Sequence, residues 1–315
     1  MSISPPPLST VALCGAATFS ADVQFLEDHW QRVPVADIDL PLIDLGTGRP
    51  LVFVPILEHL EFVYTRQLRA FSQSRRVILY RRHESRTRFV SLGERAEELA
   101  RVLDTLHISA ADLVGHGDAA MVLLTFALRY PQRCNSLVIV AQGADYRVTP
   151  HPLIWLLHEL FLRLPVEGLV PAEPLRRTVI RYITHAEPAL SPQSAGSPLA
   201  ELPRALIEAQ FRKIACWPAL YRHSVLPVIH SFDIRARVAE LTMPVLLVNR
   251  YDDALSPRVA TDWLAQHVPG YVDYQLVPAR ERFFLYSEAE LVTPLIAAFL
   301  TKICLTEDSG RLANH

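Results

Sequence analysis

The sequence predicts an α/β protein, with a mostly parallel central sheet flanked by helices and interrupted by an inserted run of helices. Three observations predict it. Short β-rich runs alternate with helical periods between Arg32 and Ile139, the pattern of parallel strands joined by crossover helices. From Gly143 to about Ala239 the strands stop, and longer helical stretches broken by prolines take over. Beyond Met243 the strands return.

Taken in order, Leu51–Val54, Arg76–Tyr80, Asp112–Val114 and Leu137–Val140 are short apolar runs that read as buried strands. Between the second and third, Ser91 to Leu106 places Leu92, Ala96, Leu99, Val102, Leu103 and Leu106 at helical spacing, which lays a helix across the sheet. In the inserted run, Leu153–Leu157 and Leu160–Leu162 are apolar almost all round, as suits a helix buried between the sheet and its neighbours. Met243–Asn249 and Tyr274–Val277 are the returning strands, and Leu291–Leu300 closes the chain as a helix. Residues 1–20 read as a loose N-terminal arm and 306–315 as a flexible tail, leaving 21–143 with 241–305 as the core and 144–240 as the insertion.

The 315 residues are enough for one large domain that buries about three quarters of its unfolded surface. A net charge of −2 with mixed signs offers no basic field for nucleic acid. Cys14, Cys134, Cys216 and Cys304 have neither CxxC nor metal-ligand spacing, and read as free thiols of a reducing, cytoplasmic compartment. The most apolar stretch, Pro152 to Val170, is broken by His158, Glu159, Arg163, Pro165 and Glu167, too polar for a membrane span. His151, His158, His185, His223 and His230 lack a metal-ligand pattern, so no metal and no cofactor is expected.

Asp112-Leu-Val-Gly115-His116-Gly117-Asp118-Ala119-Ala120 resembles the strand, sharp turn and helix of a G-x-S-x-G nucleophile elbow with glycine in place of serine. The helix ending Ala127-Leu-Arg-Tyr-Pro131 and the run from Phe232 through Met243-Pro-Val-Leu-Leu-Val248 to Asp252-Asp253-Ala-Leu-Ser-Pro257 follow in matching order. On these segments the chain resembles the α/β-hydrolase superfamily over residues 32 to 303, with the insertion in the position of that family's helical cap. The resemblance implies a Ser-His-acid triad, and here two of its positions depart from it. Gly117 stands at the nucleophile, where glycine relaxes the positive φ of the turn, and Arg282 stands at the histidine. Asp253 matches the acid, with Asp252 beside it. Pro55-Ile56 replaces the pair that precedes the first oxyanion donor, next to Leu57, and the N–H of Asp118 is the retained donor. Arginine stays protonated and cannot act as a general base.

Other residues could carry a function. Asp118 and His83 are candidate acids or bases beside Asp253, and His116 reads as a core histidine. Arg75, Arg76, Arg81, Arg82, Arg86 and Arg88 crowd a short stretch; the last four follow a strand's C-terminal end, the side on which open α/β sheets bind ligands, and Arg250 and Arg282 belong to the same side. They would clamp an anionic ligand; alternatively Arg282 pairs with Asp253 and the loop arginines are solvated. Trp155, Phe161, Trp217, Tyr221, Phe283 and Phe284 are the aromatics expected nearest a cavity. The function implied is a catalytically degenerate protein that binds a small apolar or acidic metabolite under its cap, or promotes a non-covalent lyase, cyclase or isomerase reaction. Two alternatives stand beside it: a hydrolase acting through water with Asp118, Asp253 or His83 as base, and a non-enzymatic scaffold.

Overall fold

A computed structural model describes residues 16–85, 87–145, 152–164, 168–169, 171–183, 204–214, 217–251, 258–279 and 282–312. Its centre is an eight-stranded sheet of order β1-β2-β4-β3-β5-β6-β7-β8. The strands are β1 (Gln31–Val35), β2 (Ile38–Leu45), β3 (Pro50–Phe53), β4 (Arg76–Tyr80), β5 (Ala111–His116), β6 (Cys134–Val140), β7 (Val245–Arg250) and β8 (Val272–Val277). β1 and β2 form an antiparallel hairpin against β4, and every other pairing is parallel. The middle strands are buried on both faces: every residue of β5 and β7, and all of β6 but Asn135, is enclosed.

The helices in chain order begin with α1 (Ala16–His29), α2 (Thr65–Phe71), α3 (Leu92–Thr105) and α4 (Asp118–Arg129). Between β6 and β7 come α5 (Pro152–Arg163), α6 (Ala172–Ile183), α7 (Arg204–Lys213), α8 (Trp217–Leu220), a π-helical turn over Tyr221–Val225, and α9 (Leu226–Ser231). Then follow α10 (Arg258–His267), α11 (Phe284–Ser287) and α12 (Ala289–Leu312). The chain leaves for the inserted helices and returns at one point, where Ile234 N–H donates to the Ala144 carbonyl and Asp145 bridges Asp233.

Three local expectations change. α1 starts at Ala16, inside the stretch expected to be a loose arm, because Phe19 is buried edge-on against Phe62 and Tyr286. α12 runs on to Leu312, through most of the expected tail. On α5, Phe161 turns inward, while Leu156, Leu157 and Leu160 are exposed rather than buried all round. Among the described residues no helix is long and apolar enough to cross a membrane. Cys134 and Cys304 are free thiols, and Cys14 and Cys216 lie outside the described residues.

Candidate functional site

β5 ends at His116 and α4 begins at Asp118, so Gly117 alone makes the turn, with φ 59° and ψ −121°. Gly115 lets helix and strand approach this closely, since a Cβ there would lie 2.8 Å from the Ala120 Cα. Gly117 N–H donates to the Val140 carbonyl at 2.9 Å, which pins the turn to β6. A Cβ on Gly117 would lie 3.5 Å from Arg282 Nη2 and 3.9 Å from its Nε, so the guanidinium rests directly over the turn.

Arg282 is held there by its backbone. His116 Nε2 lies 2.7 Å from the Arg282 carbonyl oxygen. A carbonyl only accepts, so Nε2 carries the proton. The imidazole stacks on Phe283 and meets Phe284 edge-on. Below it, the Tyr64 hydroxyl accepts from His116 N–H at 3.0 Å and donates to the Val54 carbonyl at 2.9 Å. His116 is therefore a core histidine whose hydrogen bond sets the arginine above the elbow. Phe283 is packed between Phe62 and His116. Leu57 is buried in the loop after β3.

On the α4 side, the Asp118 carboxylate accepts from Arg82 Nη1 at 2.8 Å, and its side chain is 36% exposed. Arg82 also pairs with Glu84, and Glu84 Oε2 accepts from Arg95 at 2.6 Å and from the Ser224 hydroxyl at 2.7 Å. Burial works against the Glu84 charge, but Arg82 and Arg95 outweigh it and hold the carboxyl at about 2. Glu98 accepts from His83 N–H at 3.0 Å, and burial, only partly offset by Arg95, raises its carboxyl to about 7. Arg81 pairs with the fully enclosed Glu61 at 2.7 Å and lies over the Trp30 ring.

The arginines expected to crowd a ligand entrance thus divide by location. Arg75 pairs with Asp112 and Arg76 with Asp44, at the opposite end of the strands. Arg81 is partly exposed and paired with Glu61, and Arg82 is buried between Glu84 and Asp118, as the desolvation of a guanidinium demands. Arg88 is exposed and paired with Glu94. Arg250 is buried at the end of β7. His83 has an exposed side chain, and its backbone serves Arg95 and Glu98.

Tyr221 meets both Phe161 and Trp217 at a tilt, and Phe211 is edge-on to Trp217, so these rings pack together among the helices between β6 and β7. Asp252, Asp253 and Arg86 lie outside the described residues, as does the Trp155 side chain, so the Asp253–Arg282 pairing falls outside them too. Among the described residues no cluster of histidine, cysteine and carboxylate side chains could hold a metal ion.

Sequence reasoning missed Glu84, Glu98, Ser224 and His59. No spacing marks the first three, which meet only in space. His59 stands two residues beyond Leu57 with φ 66°, a left-handed conformation uncommon outside glycine. Burial first, then the charges of Arg81 and Lys213, lower its imidazole to about 4.

A mostly parallel eight-stranded sheet with a glycine-tight elbow at the end of β5 and helices inserted after β6 is the α/β-hydrolase fold. No family model matches the chain. It is 27% identical over 240 residues to a protein of Azorhizobium caulinodans named "Putative carbamate hydrolase RutD", covering 74% of this chain and 84% of that one. A Caulobacter vibrioides protein of the same name is 25% identical over 278 residues, 85% of this chain and 92% of the other. Among solved structures, a thermophilic esterase from Thermogutta terrifontis with malate bound superposes with a TM-score of 0.68 at 17% identity, covering 87% of this chain and 99% of that one. An enol-lactonase from Burkholderia xenovorans gives 0.67 at 17% identity, covering 86% and 100%. These likenesses agree on the fold, and the relatives' names support the α/β-hydrolase superfamily.

Proposed function

We propose that this chain is a catalytically degenerate α/β-hydrolase-fold protein that binds a small acidic metabolite non-covalently at the Gly117 elbow, with Arg282 as the residue that recognises the anion. One observation carries the reading: the Arg282 guanidinium lies 3.5 Å from where a nucleophile's Cβ would stand. Glycine supplies no nucleophile, and a guanidinium supplies donors but no base. What remains is an oriented, half-buried cation over a sharp turn, suited to a carboxylate or phosphate by paired N–H donors. Such a site holds its ligand, or orients it for a non-covalent rearrangement such as lyase, cyclase or isomerase chemistry. That the Thermogutta esterase structure holds malate is consistent with a dicarboxylate fitting this fold.

Calorimetric titration with malate tests the reading. Saturable binding that weakens at high salt, falls in Arg282→Lys and vanishes in Arg282→Ala is the expected result. Equal binding by Arg282→Ala rules Arg282 out as the anion contact.

A second reading draws on Asp118, a partly exposed carboxylate fixed one residue past the elbow, which could activate a water. Turnover of p-nitrophenyl esters that disappears in Asp118→Asn would establish it in place of the first.

A further inference from the structure

The ion pairs beside the elbow continue into the inserted helices, and their route is unusual. Asp118, the first residue of α4, is held by Arg82, and Arg82 by one oxygen of Glu84. The other oxygen of Glu84 takes hydrogen bonds from Arg95 of α3 and from Ser224, inside the π-helical turn of the insertion. Arg82, Arg95 and Ser224 are all nearly fully buried. The same loop receives the insertion's backbone, since Val90 N–H donates to the His223 carbonyl at 3.4 Å. One carboxylate therefore joins the seat of the inserted helices to the side chain that positions Asp118.

The geometry points to Glu84 as a latch that couples the seating of the inserted helices to the order of the elbow. Lifting the π-helical turn breaks the Ser224–Glu84 bond, and Glu84 is then left with Arg82 and Arg95 alone. A buried carboxylate between two guanidinium groups re-aims when one of its donors leaves, because a desolvated charge must keep its remaining partners satisfied. Arg82 moves with it, and the Asp118 carboxylate loses its fixed position at the start of α4. Arg82 is in this sense a positioning residue. π-Helical turns occur disproportionately where a helix serves a function, in keeping with Ser224 being placed in one. The coupling is a property of the protein without ligand and stands whether or not Arg282 binds an anion.

Hydrogen–deuterium exchange on the full-length, ligand-free chain tests it. Two segments are read, the insertion over residues 217–231 and the first turn of α4 over residues 118–122. Ser224→Ala removes a single hydroxyl, and both segments are expected to exchange about tenfold faster, the factor that goes with one hydrogen bond to a charged group. Glu84→Gln is expected to loosen the same two segments. Val228→Ala is the control: Val228 is buried in α9 and makes none of these polar contacts, so its truncation should loosen 217–231 and leave 118–122 unchanged. The latch is refuted if Ser224→Ala leaves residues 118–122 at the wild-type rate, or if Val228→Ala speeds them as much as Ser224→Ala does. Should Glu84→Gln fail to fold, the comparison of the two milder variants decides alone.

Discussion

At the scale of single residues, the elbow is set by what glycine permits and what arginine occupies. Gly117 holds φ 59° with Arg282 across it, and His116 fixes the arginine through its carbonyl. A serine introduced at 117 would face a donor-only guanidinium and find no acceptor for its proton. Gly117→Ser alone should thus form no adduct with a fluorophosphonate probe, whereas Gly117→Ser combined with Arg282→His should form one. Strong labelling of the single variant would mean that another side chain takes the proton. Gly117→Ala has room for its methyl but must hold a strained backbone. It should lower stability by about 1 kcal/mol, read as a fall of roughly 1–2 °C in Tm.

At the scale of elements, α3 shows how a local signal supports a distant site. Ser91 accepts from Glu94 N–H at 3.1 Å and Glu94 accepts from Ser91 N–H at 2.9 Å, a reciprocal cap at the helix start. Arg95 and Glu98, three residues apart on the next turn, lie on one face and enclose the loop after β4. Removing the cap by Ser91→Ala should cost about 1 kcal/mol in urea unfolding. It should also loosen Arg95 and Glu98, which depend on the helix being wound from its first turn. A stability change without any change in amide exchange at His83, whose N–H is bound by Glu98, would separate the cap from the loop.

At the scale of the whole molecule, buried ionisable groups set opposing responses to pH. Glu98 ionises near 4.5 in an unfolded chain and near 7 in the folded one. Between those values the folded state keeps a proton that the unfolded state has released, so this group makes stability fall as pH rises through the window. His59 acts oppositely. Its folded value of about 4 lies below the unfolded 6.5, so stability falls as pH drops through that interval. Glu98→Gln should therefore gain on the wild type as pH rises from 5 to 8, and His59→Asn as pH drops from 7 to 4. Urea midpoints across pH check both, and midpoint curves parallel to wild type would show that neither group titrates differently on folding.

The sheet and the turn are legible in the linear chain. Strand periodicity and the Gly115-His116-Gly117 run are local properties, legible because backbone conformation and burial leave their mark on neighbouring residues. The central strands and the helix from Ser91 onward follow that pattern closely. The partners of the buried charges come instead from long-range packing. Arg81 and Arg82 look alike in the sequence as adjacent cations after one strand, yet one meets Glu61 and the other Asp118 and Glu84. Ser224 reaches Glu84 across 140 residues of chain. Long-range pairing of buried charges depends on which surfaces the fold brings together, and linear spacing carries no record of it. The Arg282 guanidinium over Gly117 belongs to the same class: its position in the chain pointed to it, and the fold put it against the turn.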